Sequence, residues 1–577
     1  MNHKIEITVE GMTCGMCATH VETALNSLSE VANVRVPDWK QGTAIVSLEA
    51  SGGETLDESR VRTAIESGNN YKLTGIRAIA GETPELKSGT NTDPGPEPGP
   101  DTDIDLVVIG TGGAGMAGAL EAARLGKKVI IVERGTTGGT CVNVGCVPSK
   151  AIIKAANYFH LAEHSPFAGV QLVRQSLDWE QLVAAREELV AELRGEKYEK
   201  VLQASEGITF KQGAARFVRT KSGYPAVELS TGETLLARRY LIATGAHPHI
   251  PDLPGADTVG LLDSTSALFL KQKPESMIVI GGGFIAVELA QSFSRLGVRI
   301  ESIEARSTLL SAWDLDVSVE VTRLFRAEGI PVTENSLPVS FFQENGQKGV
   351  EVRDRDTGAV RRLFADEILI ATGRRANIHE LNLSAVGVNL DPTGEQIQVD
   401  EFMQTSHPAI YAAGDCTTLP KLVYLAAKSG KAAASHAFAG TAVVDLSVVP
   451  EVVFADPQIA RVGLTEVEAR ERGLEIIVSK LSMAHVPKAI VSYKKDGFIK
   501  LIAETKNNTL IGAHIVSENA GELIQTAAMA IAFGKRYGFT VNDFRDMLFP
   551  YLTEVEGLKL ASQTFTMDVA RLSCCAG

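Results

Sequence analysis

The rhythm of hydrophobic and polar positions changes along the chain, and each change predicts a different kind of domain. Residues 4–10 (KIEITVE), 31–36 (VANVRV), 43–49 (TAIVSLE) and 71–78 (YKLTGIRA) read as strands in which apolar and polar side chains alternate, the period of a sheet with one buried face. Helical stretches near 16–28 and 57–67 fall between them, so the predicted order over residues 1–80 is β-α-β-β-α-β. Residues 81–103 carry Pro, Gly, Asp and Glu with almost nothing to bury, the composition of a flexible, solvated linker.

From Ile104 the pattern changes to short, continuous apolar runs that feed directly into helices, as parallel sheets covered on both faces require. DLVVIGTGGAG precedes a helix through about Arg124, and MIVIGGGFIAVE precedes one through about Arg295. Beyond residue 450, the strand-like pieces FIKLIAE and TLIGAHIV lead to a helix from about Gly521 to Lys535. Leu523, Ile524, Ala527, Ala528 and Ile531 share one face of it, which is either core or a subunit interface. The fold class predicted is α/β: a small ferredoxin-like βαββαβ domain, two Rossmann-like dinucleotide-binding domains, and an α+β C-terminal domain over 450–577.

Composition narrows the functions available. A chain of 577 residues is too long for one core. Its net charge of −14 argues against nucleic acid, because phosphate neutralisation needs clustered Lys and Arg. No apolar run reaches the roughly 18 residues of a spanning helix, and the first residues lack a basic flank ahead of an apolar stretch. A cytoplasmic protein without membrane insertion is expected. The seven cysteines fall as Cys14 and Cys17, Cys141 and Cys146, Cys574 and Cys575, and a single Cys416. Close pairs in a reducing compartment point to redox or metal chemistry, not to a secreted disulfide framework.

Gly110, Gly112 and Gly115 form GxGxxG between a strand and a helix, where backbone can approach a pyrophosphate at the helix N-terminus. Glu133 closes the next strand at the spacing of a carboxylate that binds an adenosine ribose. Gly281, Gly283 and Ala286 repeat the pattern, so two dinucleotides are implied. The second site ends in SIEARS, which offers both Glu304 for a free ribose 2′-hydroxyl and Arg306 for a 2′-phosphate. Spacing leaves that choice open.

GGTCVNVGCVPSK places Cys141 and Cys146 just after the first nucleotide motif, with Pro148 early in a helix. Residues five apart point about 140° away from each other on a regular helix, so Gly145 must support a distorted turn if the sulfurs are to meet. A helix N-terminus at Cys146 favours its thiolate. Together with LIATGAHPHIP, LIATGRRAN and IYAAGDCT, these residues resemble the flavoprotein disulfide reductase family over 104 to about 570. That resemblance implies FAD at the first site, with Thr140, Lys150 and Asp415 among its contacts, and NADPH at the second. It divides the chain into an FAD-binding domain over 104–255 and 373–449 and an NAD(P)H-binding domain over 256–372. It implies further that 450–577 is a dimerisation domain, that Cys146 faces the flavin and Cys141 the substrate, and that Lys150 and Glu288 form an ion pair beside the flavin. Cys416 reads as a core residue.

Reductases of small disulfides in this family carry a histidine before a proline near the C-terminus, because a departing thiolate needs a proton. This chain reads FPYLTEVEG, with Phe549 in that place and Pro550 and Glu554 retained. Phenylalanine transfers no proton. The chain ends LSCCAG, where Cys574 and Cys575 form an open pair of soft sulfur ligands. GMTCGMC puts Cys14 and Cys17 at a helix-opening loop and resembles the heavy-metal-associated domain. The combination resembles the branch of the family that reduces mercuric ion. This second resemblance implies NADPH-dependent reduction of Hg(II) to Hg(0), in a homodimer where Cys574 and Cys575 hand the ion to Cys141 and Cys146 of the partner subunit. Tyr198 and Tyr551 match active-site tyrosines, and NADPH use assigns Arg306 to the 2′-phosphate. The alternatives are a disulfide reductase with an added metal domain and a metal-trafficking protein without enzymatic activity.

Overall fold

The computed structural model describes residues 4–10, 21, 24–25, 31–38, 43–48, 58–66, 71–78, 100–173, 175–440 and 442–571. The chain divides into two units, Met1–Glu97 and Pro98–Gly577. In the first, an antiparallel sheet runs in the order Val31–Asp38, Thr43–Leu48, Lys4–Glu10, Lys72–Ala78, with helix Glu58–Glu66 also present. Alternation has the consequence expected of it: Ile7, Val9, Val34, Ala44 and Val46 turn inward and meet Val61 and Ile65 of the helix. The strand order is the ferredoxin-like one. Of the first predicted helix, residues 21, 24 and 25 are helical, and Val21 and Leu25 join the core.

The second unit opens with strand Leu106–Ile109 at the centre of a parallel sheet, flanked by Arg239–Ile242 on one side and Val129–Glu133 on the other. Its four residues are all buried, which explains the continuous apolar run: Leu106 and Val108 pack against helices Gly113–Arg124 and Val423–Ala439, and Val107 and Ile109 against the antiparallel strands that carry Phe217, Val227 and Leu229. Strand Ile410–Ala412 pairs with Arg239–Ile242, so the chain returns to this sheet after building the next one. That next sheet centres on Ser276–Ile280, also buried throughout, between Arg299–Ile303 and Glu367–Ile370. The last sheet is antiparallel, with the order Glu451–Val453, Gln458–Gly463, Thr509–Ser517, Phe498–Glu504, Ile476–Ser482. Helix Ala520–Tyr537 packs on it through Leu523, Ile524, Ala527, Ala528 and Ile531. The face left open between core and interface is core, and Met529, Phe533 and Tyr537 are exposed on the same helix.

Helix Phe284–Arg295 ties these parts together. Glu288, Gln291 and Arg295 are buried on it. Glu288 reaches Lys150 at 2.7 Å and the Phe454 N–H at 2.9 Å. Gln291 accepts from the Asp456 N–H at 2.8 Å, and Arg295 pairs with Glu328 and with Asp456, each at 2.6 Å. A helix beginning at the second glycine motif is thereby fixed to helix Cys146–Leu161, which carries Lys150, and to the C-terminal sheet.

Candidate active site

The site grows from a break between two helices. Cys141 lies in Gly139–Val144, and Cys146 is the first residue of Cys146–Leu161. Gly145 between them takes φ −127° and ψ −111°, and a Cβ there would stand 2.9 Å from the Thr140 carbonyl oxygen. A residue without a side chain is therefore required where the two helices turn on each other. The break undoes the 140° divergence, and the Cys141 thiol donates a hydrogen bond to the Cys146 sulfur. Both cysteines are free and half-buried.

The proton is held unequally. The hydrogen bond from Cys141 brings the Cys146 thiol down to about 7, with Lys150 helping and burial and Glu288 opposing. Cys141 is pushed up by the same bond and by burial. Cys146 is thus the nucleophilic sulfur, its thiolate favoured by a donor and a cation. Lys150 sits one turn further along the same helix, its Nζ 4.8 Å from the centre of the Phe454 ring. Tyr198 lies on Gly195–Glu199, a wide turn with i to i+5 bonding, and its ring would be 3.3 Å from a Cβ on Gly138. Burial and the two cysteines push its hydroxyl up, so it keeps its proton beside the pair.

The FAD-type cradle is a cavity of about 960 Å³ lined by Gly110, Gly112, Glu133, Thr140 and Thr244, reaching Asn143 on the Cys141 helix. Gly110 has φ +108°, and a Cβ on Gly115 would stand 1.9 Å from the Gly110 carbonyl oxygen, so helix and turn pack backbone to backbone. Glu133 accepts from the Thr111 N–H at 3.0 Å and from the Thr111 hydroxyl at 2.6 Å. The Thr244 hydroxyl is buried and acts only on the Cys416 sulfur, which leaves its hydrogen-bonding capacity for a ligand. These residues fit a dinucleotide. Burial pushes the Asp415 carboxyl up while Arg374 and Lys421 oppose it. Asp415, Asp263 and Cys146 in turn act on Arg374, whose half-buried guanidinium donates to the Ala246 carbonyl. Arg374 belongs to this charged set; it lies inside the LIATGRRAN motif that carries part of the family resemblance, but the sequence alone gives no reason to single it out there.

The second motif repeats the backbone. Gly281 has φ +123°, Gly283 caps helix Phe284–Arg295, and Ala286 is buried on it. Glu304 is buried, whereas Arg306 is exposed and donates to the Ser311 hydroxyl at 3.0 Å. Cys416 is fully buried and donates to the Ala413 carbonyl at 3.3 Å, a core residue as expected. Cys14, Cys17, Cys574 and Cys575 lie outside the described residues. Among the described residues no three His, Cys, Asp or Glu side chains are grouped to hold a metal ion.

Residues 104–430 match the family described as pyridine nucleotide-disulphide oxidoreductase, residues 449–562 its dimerisation domain, and residues 6–71 the heavy-metal-associated domain. The mercuric reductase of Acidithiobacillus ferrooxidans is 42% identical across 100% of both chains. That of Shigella flexneri is 42% identical over 99% of this chain and 100% of its own. The chain belongs to the mercuric reductase family. A solved structure, the HOCl-induced flavoprotein disulfide reductase RclA from Escherichia coli, is 27% identical with a TM-score of 0.70 over 80% of this chain and 99% of its own.

For a mercuric reductase the segment from Phe549 to Glu554 is informative. Phe549 is half-buried and packs edge-on against the buried Phe544, ring centres 5.5 Å apart, at the margin of the core under helix Ala520–Tyr537. Pro550 is exposed. Glu554 is buried and accepts from the Ser517 hydroxyl at 2.9 Å and from Asn519 at 3.1 Å. The carboxylate retained from the family pattern braces the C-terminal sheet and has no histidine to orient. Tyr551, the second tyrosine matched to this family, is exposed on the following turn.

Proposed function

We propose that this mercuric reductase carries two electrons from NADPH to Hg(II) held between Cys141 and Cys146, which releases Hg(0), NADP⁺ and a proton. When bound, FAD supplies the passage of those electrons from nicotinamide to the metal. The observation that carries the reading is the free dithiol with its lowered Cys146 thiol beside Lys150, on a chain whose proton-donor position is a half-buried phenylalanine. Two soft sulfurs suit a soft cation that prefers two ligands. Cys141 and Cys146 are the catalytic residues. Lys150 and Glu288 hold the charge balance beside them, and Tyr198 offers a hydroxyl to the metal-bearing pair. Gly110, Gly112, Gly115, Glu133, Thr140 and Asp415 hold FAD.

In this proposal two chains pair through residues 450–577, and Cys574 and Cys575 of one subunit hand Hg(II) to the pair of the other, beside Tyr551. Cys14 and Cys17 collect the ion ahead of that transfer. Residues 81–103 tether the module 1–80, and the enzyme works in the cytoplasm on thiol-bound Hg(II). No helix among the described residues is long and apolar enough to cross a membrane.

The test is NADPH oxidation by the purified protein with Hg(II) in excess thiol, set against lipoamide and glutathione disulfide. Turnover with Hg(II) and little with either disulfide is expected. Brisk disulfide turnover without response to Hg(II) would reassign the chain to disulfide reduction. Cys574→Ala combined with Cys575→Ala should abolish Hg(II) turnover in thiol yet leave flavin reduction by NADPH intact; unchanged turnover removes the tail from the route.

A further inference from the structure

The two nucleotide sites are copies of one design down to the backbone groups that face the strand-ending carboxylate. Gly110 and Gly281 have φ of +108° and +123°, and a Cβ on either would stand 2.4 Å from a carbonyl oxygen, that of Ala243 or of Ala371. In the first site the Glu133 carboxylate accepts from the Thr111 N–H at 3.0 Å and, two residues along its own chain, from the Gly135 N–H at 2.8 Å. In the second, the Glu304 carboxylate accepts from the Arg306 N–H at 2.7 Å and lies against Gly282, whose backbone N–H helps to hold its carboxyl down. Its Oε2 lies 2.5 Å from where a Gly282 Cβ would be. Thr111 follows Gly110 as Gly282 follows Gly281, and Gly135 stands to Glu133 as Arg306 stands to Glu304.

A carboxylate held in this way presents itself to the ribose that crosses the end of the strand. Such an acceptor favours a free 2′-hydroxyl and repels a 2′-phosphate, which a nearby arginine favours instead. Arg306 is that arginine, but its guanidinium is engaged with Ser311 at 3.0 Å and exposed. Glu304 is buried, at 9% of its surface exposed; burial pushes its carboxyl up while the Arg306 and Gly282 N–H groups and the Arg306 charge oppose this, and the charge it carries is felt more strongly there than in water. We propose that Glu304 accepts a hydrogen bond from the adenosine ribose of NADH, so that this enzyme takes NADH as a second reductant beside NADPH. Glu304 is thus a specificity-determining residue set against Arg306, and the inference rests on the second site being where the reductant enters.

The experiment is titration calorimetry of the FAD-loaded, full-length protein with NAD⁺ and with NADP⁺, beside stopped-flow reduction of the flavin by NADH and NADPH. The wild type should bind both nucleotides. Glu304→Gln should weaken NAD⁺ about tenfold, the value of one charge-assisted hydrogen bond, while NADP⁺ binds as well or more tightly. Arg306→Ala should weaken NADP⁺ and spare NAD⁺. Equal weakening of both nucleotides by Glu304→Gln would make the carboxylate only a prop for the glycine turn and overturn the proposal. So would wild-type protein that binds NADP⁺ but not NAD⁺, an outcome that leaves NADPH-driven Hg(II) reduction standing. Binding of neither would overturn both.

Discussion

At Cys146 a single charge decides the chemistry. A thiol lowered to about 7 is thiolate above that pH and protonated below it, so alkylation of Cys146 should fall about tenfold per pH unit on the acid side. Lys150 favours the thiolate and Glu288 opposes it. Lys150→Met should therefore move the midpoint up, and Glu288→Gln should move it down, both read from ultraviolet thiolate absorbance against pH. A shift in the same direction from both would mean that the ion pair acts only as a structural clasp. The cysteine pair, the glycines and the competing Glu304 and Arg306 are legible in the sequence because each is a short-range pattern. Arg374 is not, since Asp263, Asp415 and Cys146 meet it from segments far apart in the chain.

Helices and strands are legible where one period runs unbroken. Leu106–Ile109 and Ser276–Ile280 announce buried parallel strands by having no polar face, and the helix expected over Gly521–Lys535 is nearly the whole of Ala520–Tyr537. Helix Phe284–Arg295 shows where periodicity stops being a guide. Glu288, Gln291 and Arg295 are spaced like a solvent face, yet all three are buried because the C-terminal sheet and helix Cys146–Leu161 close over them. Arg295→Met should destabilise the fold by about 3 kcal/mol, since it leaves Glu328 and Asp456 without their cation in a part-buried setting. Urea denaturation followed by flavin release measures this. A loss under about 0.5 kcal/mol, the range of an ordinary surface substitution, would show that the stripe carries no such energy.

Across the whole molecule, the division at residue 97 predicts independence of the catalytic unit. Protein lacking residues 1–97 should keep its flavin and its rate of Hg(II)-dependent NADPH oxidation at saturating substrate; a flavin-free product would refute this. The unequal sharing of one proton between Cys141 and Cys146 also has an effect visible from outside the protein. Both sulfurs must be bare to hold the ion, so capture expels whatever protons they retain: about two well below pH 7 and about one well above it. The heat of Hg(II) capture should therefore vary with the ionisation enthalpy of the buffer, more steeply in acid than in base. When the ion arrives on thiols instead of free, the thiolates it leaves take up those protons, so the dependence on buffer should shrink and mild acid should change the exchange little.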